Sequence, residues 1–161
     1  LEMNLFSESV RNHRAMVFRI AFGYTKNTYD AEDITQEVFL KLYKSNTEFA
    51  ADENIKAWLI RVAVNQAKSL LKTVWNTRRG ELTENLTDSK GSFLSDDCLE
   101  LYRYVDGLKP KYRTIIYLYY YEQYSVKEIA ELLKIRETTV TTQLSRARNQ
   151  LKEKLLAEGY A

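Results

Sequence analysis

Residues 125–155 read SVKEIAELLKIRETTVTTQLSRARNQLKEKL, and the reading of this stretch decides the fold. Ser125 with Glu128 three positions later is a capping-box pattern, in which each side chain satisfies a backbone N–H left over at a helix start. Val126, Ile129, Ala130 and Leu133 then fall on one apolar face at helical spacing. Ala130 is small enough for a second helix to cross closely. Lys134 to Arg136 is the only room for a turn. After it, Val140, Leu144, Ala147, Leu151 and Leu155 mark another amphipathic helix. Two short helices joined by so short a turn make a helix-turn-helix, whose second helix enters the major groove of DNA. The outward face of that helix carries Glu137, Thr138, Thr141, Thr142, Gln143, Ser145 and Arg146. These side chains hydrogen-bond to base edges and phosphates. Thr142 and Gln143 stand nearer base edges; Arg146, deeper in the helix, reaches phosphate. A merely solvated helix pair is the competing reading. The coincidence of capping box, short turn and polar outer face favours DNA.

Working back from this motif, the rest of the chain is also helical. Cys98, Leu101, Tyr102, Val105 and Leu108 mark a helix, and Pro110 opens the next, which carries Ile115, Ile116, Tyr119 and Tyr120. Cys98 lies on the apolar face and reads as a buried structural thiol. Residues 76–97 are polar without a repeated apolar face and read as a partly disordered linker. Upstream, Leu5 to Tyr24 carries one helical periodicity. Asp30 opens a second helix, with Ala31, Ile34, Val38 and Leu42 inward. Ser45 to Glu53 reads as a loop. Asn54 to Trp75 forms a third helix, with Ile55, Leu59, Val62, Ala63, Leu70 and Val74 inward. The expected fold is all-α: two small helical domains, residues 1–75 and 98–161, joined by a flexible linker at 76–97, the second a helix-turn-helix.

Composition narrows the function. With one cysteine and one histidine, no intrachain disulfide and no Cys/His zinc site is available. This suits a reducing compartment, and a cytoplasmic location is expected. No apolar run is long enough for a transmembrane helix and no signal-peptide pattern precedes the first helix, so no membrane insertion is expected. Leu1 and Glu2 precede Met3. The acids of DAEDITQEVF, residues 30–39, lack a nearby histidine or a Gly-rich phosphate loop. No catalytic residue, cofactor or metal is therefore assigned, and that acidic face reads as either solvated or protein-binding.

Net charge is only +2, but the charge is segregated. From Asn54 to Gly80 there is no acid, while Lys56, Arg61, Lys68, Lys72, Arg78 and Arg79 lie there with Trp58 and Trp75 interleaved. Basic residues with aromatics suit phosphate binding and stacking on unpaired bases. Taken singly, each tryptophan reads first as core packing. The preceding loop holds Asn46, Phe49 and, at its end, Asn54. Amides hydrogen-bond to an unpaired base edge and an aromatic stacks on its face. The plain alternative is that Phe49 only covers the domain core.

These signals, in this order, resemble the extracytoplasmic-function sigma factors, the compact branch of the sigma-70 family of bacterial transcription initiation subunits. YTKNTYDAEDITQEVFLKLY, residues 24–43, is similar to the family's region 2 core. WLIRVAVNQAKSLL, residues 58–71, resembles the following helix, which contacts the −10 promoter element. LKPKYRTIIYLYYYEQYSVKEIAELLKIRETTVTTQLSRARNQLKEKL, residues 108–155, is similar to region 4, which reads the −35 element. The resemblance implies a non-enzymatic protein that binds core RNA polymerase and promoter DNA, with an anti-sigma factor as a further partner. It implies a polymerase-docking surface at Asp33, Gln36, Glu37 and Phe39, with Phe39 exposed. It implies −10 contacts from Asn46, Phe49, Asn54, Lys56, Arg61, Asn65, Lys68 and Lys72. It implies −35 contacts from Arg136, Glu137, Thr138, Thr139, Thr142, Gln143 and Arg146. The chain departs from the family at Lys134, where glycine is frequent, and at Arg136, where a serine cap is frequent. Ser69 stands where relatives have aspartate.

Two other classes compete. An ordinary helix-turn-helix regulator would bind duplex DNA alone and use its N-terminal half for dimerisation. A carboxylate-dependent nuclease would show metal-dependent activity that vanishes on removing Asp33 or Glu37.

Overall fold

The structure is a computed structural model that describes residues 1–77 and 95–159. The described residues form seven α-helices and one π-helical turn, with no strand among them. They fall into two compact units, the first holding α1 (Met3–Thr25), α2 (Thr28–Lys44) and α3 (Asp52–Thr77). The second holds α4 (Asp96–Tyr104), α5 (Pro110–Ile116), the π turn (Tyr117–Tyr121), α6 (Val126–Leu133) and α7 (Glu137–Ala157). The expected linker falls mainly on 78–94, outside the described residues. Its edges differ from expectation: Asn76 and Thr77 still belong to α3, and Asp96 and Asp97 already belong to α4.

In the first unit the three helices pack on one another around Val17, Phe18, Phe22, Val38, Leu42, Leu59 and Ile60, all buried. Full burial of such a side chain contributes about 1.5–3 kcal/mol, so this core is the main source of the unit's stability. α2 starts two residues before the expected Asp30. Asn27 is its cap, the side-chain oxygen accepting from the Asp30 N–H at 3.0 Å. Asp30 thus sits in the first turn, where an acid suits the helix dipole. On α3 the inward stripe also differs. Ile60, Val64 and Ala67 are buried while Val62 and Leu70 are only half-buried. Val74 lies where no side chain is described.

In the second unit the expected thiol burial holds: Cys98 is fully buried, as are Val105 and Tyr102. Tyr102 stacks on Tyr117 with centroids 5.8 Å apart, fastening α4 to the π turn. Pro110 occupies the first turn of α5, where its missing N–H leaves no partner unmet. The face expected after α5 is rotated. Tyr117 and Leu118 are buried, Tyr119 is half-buried and Tyr120 is 51% exposed. A π turn lies here: the Glu122 N–H donates to the Tyr117 carbonyl five residues back, at 3.1 Å, which puts one extra residue into the turn.

The capping box at α6 is complete. The Ser125 hydroxyl oxygen accepts from the Glu128 N–H at 3.1 Å, and the Glu128 carboxylate accepts from the Ser125 N–H at 3.0 Å. The bond from the Ser125 N–H, and after it the Ser125 hydroxyl, hold the Glu128 carboxyl below its ordinary pKa. α6 closes on Lys134 in the left-handed region, φ 55° and ψ 47°. The Ile135 N–H then reaches the Ala130 carbonyl at 3.0 Å, the long bond of a Schellman closure. α7 follows at Glu137 and buries Val140, Leu144 and Ala147, with Leu151 and Leu155 half-buried.

Candidate nucleic-acid interfaces

Three surfaces gather the residues singled out from the sequence. The first is the start of α7. Arg136 precedes the helix as its cap position, without a side-chain cap bond, as expected of a poor capping residue. Glu137, Thr138, Thr142 and Arg146 are exposed, and Thr139 and Gln143 are half-buried. Thr138, Thr139, Thr142, Gln143 and Arg146 line one depression of about 200 Å³. Its sixth lining residue is Lys111, from the first turn of α5. Sequence reasoning missed Lys111, because only the fold brings a residue so distant in the chain beside the recognition helix. The Thr141 hydroxyl donates to the Glu137 carbonyl at 3.0 Å, so it is engaged with its own helix rather than offered outward. Arg148 turns the other way. Its Nε donates to the Tyr120 hydroxyl at 2.7 Å and its guanidinium lies 5.4 Å from the Tyr119 ring centroid. The Tyr120 bond raises its pKa above the ordinary arginine value, so the charge is fixed.

The second surface is α3 with the loop before it. Asn54, Trp58, Arg61, Asn65, Lys68 and Lys72 recur at steps of three and four, which places them along one side of the helix. Asn65, Lys68 and Lys72 are exposed, Trp58 and Arg61 half-buried. Trp58 is therefore no core residue. It stands on the basic side and receives the edge of Phe49 at 6.0 Å between ring centroids, 76° between planes. Phe49 is half-buried in this contact, while Asn46 and Asn54 are exposed. Lys56 lies elsewhere, roughly 140° round the helix from Arg61 at 3.6 residues per turn. The Trp75 side chain and residues Arg78 and Arg79 fall where the structure gives no description.

The third surface is the exposed side of α2. Asp33, Gln36 and Glu37 are exposed and adjacent. Glu32 is not free to join them, since its carboxylate pairs with Arg14 of α1. Phe39 departs from expectation: it is 6% exposed and belongs to the core. Its position beside the inward stripe of Ala31, Ile34, Thr35, Val38 and Leu42 explains this. The apolar part of the surface is instead Leu40 and Tyr43, each nearly half exposed. They border a groove of about 420 Å³ between α1 and α2, with Phe6 set edge-on against Tyr43 at 5.3 Å. Among the described residues no His/Cys/Asp/Glu group is placed to hold a metal ion, and no helix is long and apolar enough to cross a membrane.

Comparison with known proteins matches both units. The model for Sigma-70 region 2 covers residues 9–77, and that for Sigma-70, region 4 covers residues 98–151. The RNA polymerase sigma factor SigV of Bacillus subtilis is 32% identical, over 92% of this chain and 90% of the relative. The ECF RNA polymerase sigma factor SigW of the same organism is 28% identical, over 96% of this chain and 90% of the relative. The fold is similar to that of the sigma factor RpoE from Bartonella quintana, solved with the anti-sigma factor NepR. The TM-score is 0.74 at 22% identity, covering 93% of this chain and 96% of that one.

Proposed function

We propose a division of labour within a chain that belongs to the extracytoplasmic-function branch of the sigma-70 family. It is a promoter-directing subunit of RNA polymerase, not an enzyme and not a stand-alone regulator. The observation that carries this is the order of the two regions: a region 4 helix-turn-helix alone occurs in many regulators, whereas region 2 upstream of it belongs with polymerase.

In this reading the first unit does two jobs. The side of α2 bearing Asp33, Gln36 and Glu37 docks on core polymerase, with Leu40 and Tyr43 supplying the apolar contact first expected of Phe39. Exposed acids around an apolar patch suit a protein interface, the charges steering the approach and the apolar centre holding it. The basic side of α3 follows the −10 region, and Asn46, Phe49 and Asn54 hold a base from the opened strand. Extracting that base costs a few kcal/mol, so a site that holds it shifts the balance towards melted DNA. The second unit reads the −35 element with Thr138, Thr139, Thr142, Gln143 and Arg146, with Arg136 and Glu137 at the helix start. The residue ranges 1–75 and 98–161 are the proposed functional units. Acting on polymerase in the cell interior, the chain is read here as a cytoplasmic protein. An anti-sigma factor is a further proposed partner, supported by the relative solved with one.

Reconstitution with core polymerase and run-off transcription tests the whole reading. The chain is expected to form a stable holoenzyme and to start transcripts at a defined position. Asp33→Ala with Glu37→Ala is expected to lower affinity for core polymerase at unchanged thermal stability. Unchanged affinity in that double variant would remove α2 as the docking surface.

A further inference from the structure

The one histidine of the chain sits where the base-holding loop ends. His13, on α1, is 6% exposed, yet its imidazole reaches out of the core to Asp52, the first residue of α3. Nε2 and Asp52 Oδ1 are 2.9 Å apart. An ionised carboxylate only accepts, so Nε2 carries the hydrogen and donates it. The Asp52 side chain is 58% exposed, which leaves this bond as its link to the body of the unit.

The place of this contact gives it a role. Residues 45–51 leave α2 at Ser45, where the Thr47 N–H turns back to the Ser45 hydroxyl at 3.1 Å. They end at Ala51, whose carbonyl accepts the first backbone bonds of α3 from Asn54 and Ile55. Between these ends Phe49 rests on Trp58. Asn54, one of the two amides assigned to the base, lies two residues past Asp52. Buried Ile55 and Leu59 pack α3 into the core, and the His13–Asp52 bond adds a directional polar tie from α1 to the first residue of α3.

We infer that His13 and Asp52 anchor the base-holding loop, His13 acting as a positioning residue for promoter opening. This rests on the reading that Asn46 and Asn54 hold an unpaired base. Breaking the bond lets the start of α3 and the loop end shift while the α1–α2 groove and the exposed side of α2 stay as they are. Opening then suffers without loss of polymerase binding.

The test uses holoenzyme made from the full chain and core polymerase, with permanganate reactivity of unpaired thymines as readout. Asp52→Ala changes an exposed side chain and avoids a cavity in the core. It is expected to lower reactivity about five- to ten-fold, on the scale of one lost hydrogen bond whose acceptor is solvent-exposed, at unchanged affinity for core polymerase. His13→Leu is expected to do the same, and His13→Gln, which keeps a donor near Nε2, to restore most of the signal. Glu53→Ala removes an acid from the same helical turn and is expected to open normally. Normal opening by Asp52→Ala, in an assay where Asn46→Ala opens poorly, overturns the anchor. So does an equal loss in Glu53→Ala, since the effect would then belong to the charge of the helix start. Normal opening by Asn46→Ala and Asn54→Ala would remove the base-holding reading itself and the anchor with it.

Discussion

The side of α3 and the start of α7 both face nucleic acid in this reading, but they are built differently. α3 presents Arg61, Lys68 and Lys72 along a long helix, with Asn65 and an aromatic pair, Phe49 on Trp58, at one end. α7 presents three threonines, Gln143 and one arginine in a depression lined also by Lys111. Charge on a flexible stem neutralises phosphate whatever the base sequence, while short polar side chains on a fixed helix discriminate base edges. The contrast assigns grip and strand capture to the first unit and sequence preference to the second.

The largest effect that would break this contrast concerns grip. Lys68→Ala with Lys72→Ala is expected to weaken promoter binding by more than about ten-fold on every promoter alike. The slope of log affinity against log salt should flatten by about 1.4–1.8, as for two lost phosphate contacts. A loss confined to one promoter sequence would contradict the assignment. Next comes preference. Gln143→Ala is expected to cost about 1–3 kcal/mol of discrimination at one base pair if the amide contact is bidentate. Arg146→Ala should instead lower affinity for all −35 sequences together. Selection from a randomised −35 duplex distinguishes the two, and an unchanged preferred sequence in Gln143→Ala would count against base reading.

Smaller effects sharpen the idea that the second unit depends on rigid placement. Lys134 holds a left-handed conformation that costs an ordinary residue about 1–2 kcal/mol. Lys134→Gly is expected to raise stability by about 0.5–1 kcal/mol in denaturant unfolding, with the same preferred −35 sequence. The smallest effect is that of acid on the capping box. Because the Glu128 carboxyl is held below its ordinary pKa by Ser125, its contribution is present at and above the ordinary carboxylate range. It is lost as pH falls through the lowered value. Glu128→Gln is expected to remove that part of the acid sensitivity, seen as a flatter melting temperature against pH below neutral.

What could be read from the sequence was what neighbouring residues decide among themselves. The capping box, the short turn and the inward face of α7 depend on residues a few positions apart, and all appear in the fold. So do the all-helical class and the two units. Burial set by distant partners was less legible. Phe39 lies one position from the inward stripe of α2, and only packing decides that its ring turns into the core. Trp58 read as core by its type, yet the fold sets it on the basic side of α3 under Phe49. Lys111 carried no local signal at all. Tyr119 and Tyr120 stand four residues after Ile115 and Ile116, and only the fold shows that Tyr120 faces out, where it meets Arg148.

That π turn has a consequence for how the chain tolerates changes in length. A turn with one surplus residue is the form an α-helix takes when it absorbs an insertion locally, leaving the helix on either side in its original orientation. Removal of the exposed Tyr120 should let the turn close as ordinary α-helix, with Pro110 at one end and the Ser125 cap at the other still facing as they do. The same deletion inside α7 would swing every later side chain by about 100° and take the reading face off its target. The segment is thus a register buffer: a change of length there is taken up within one turn, whereas in α7 it is passed on to every later residue.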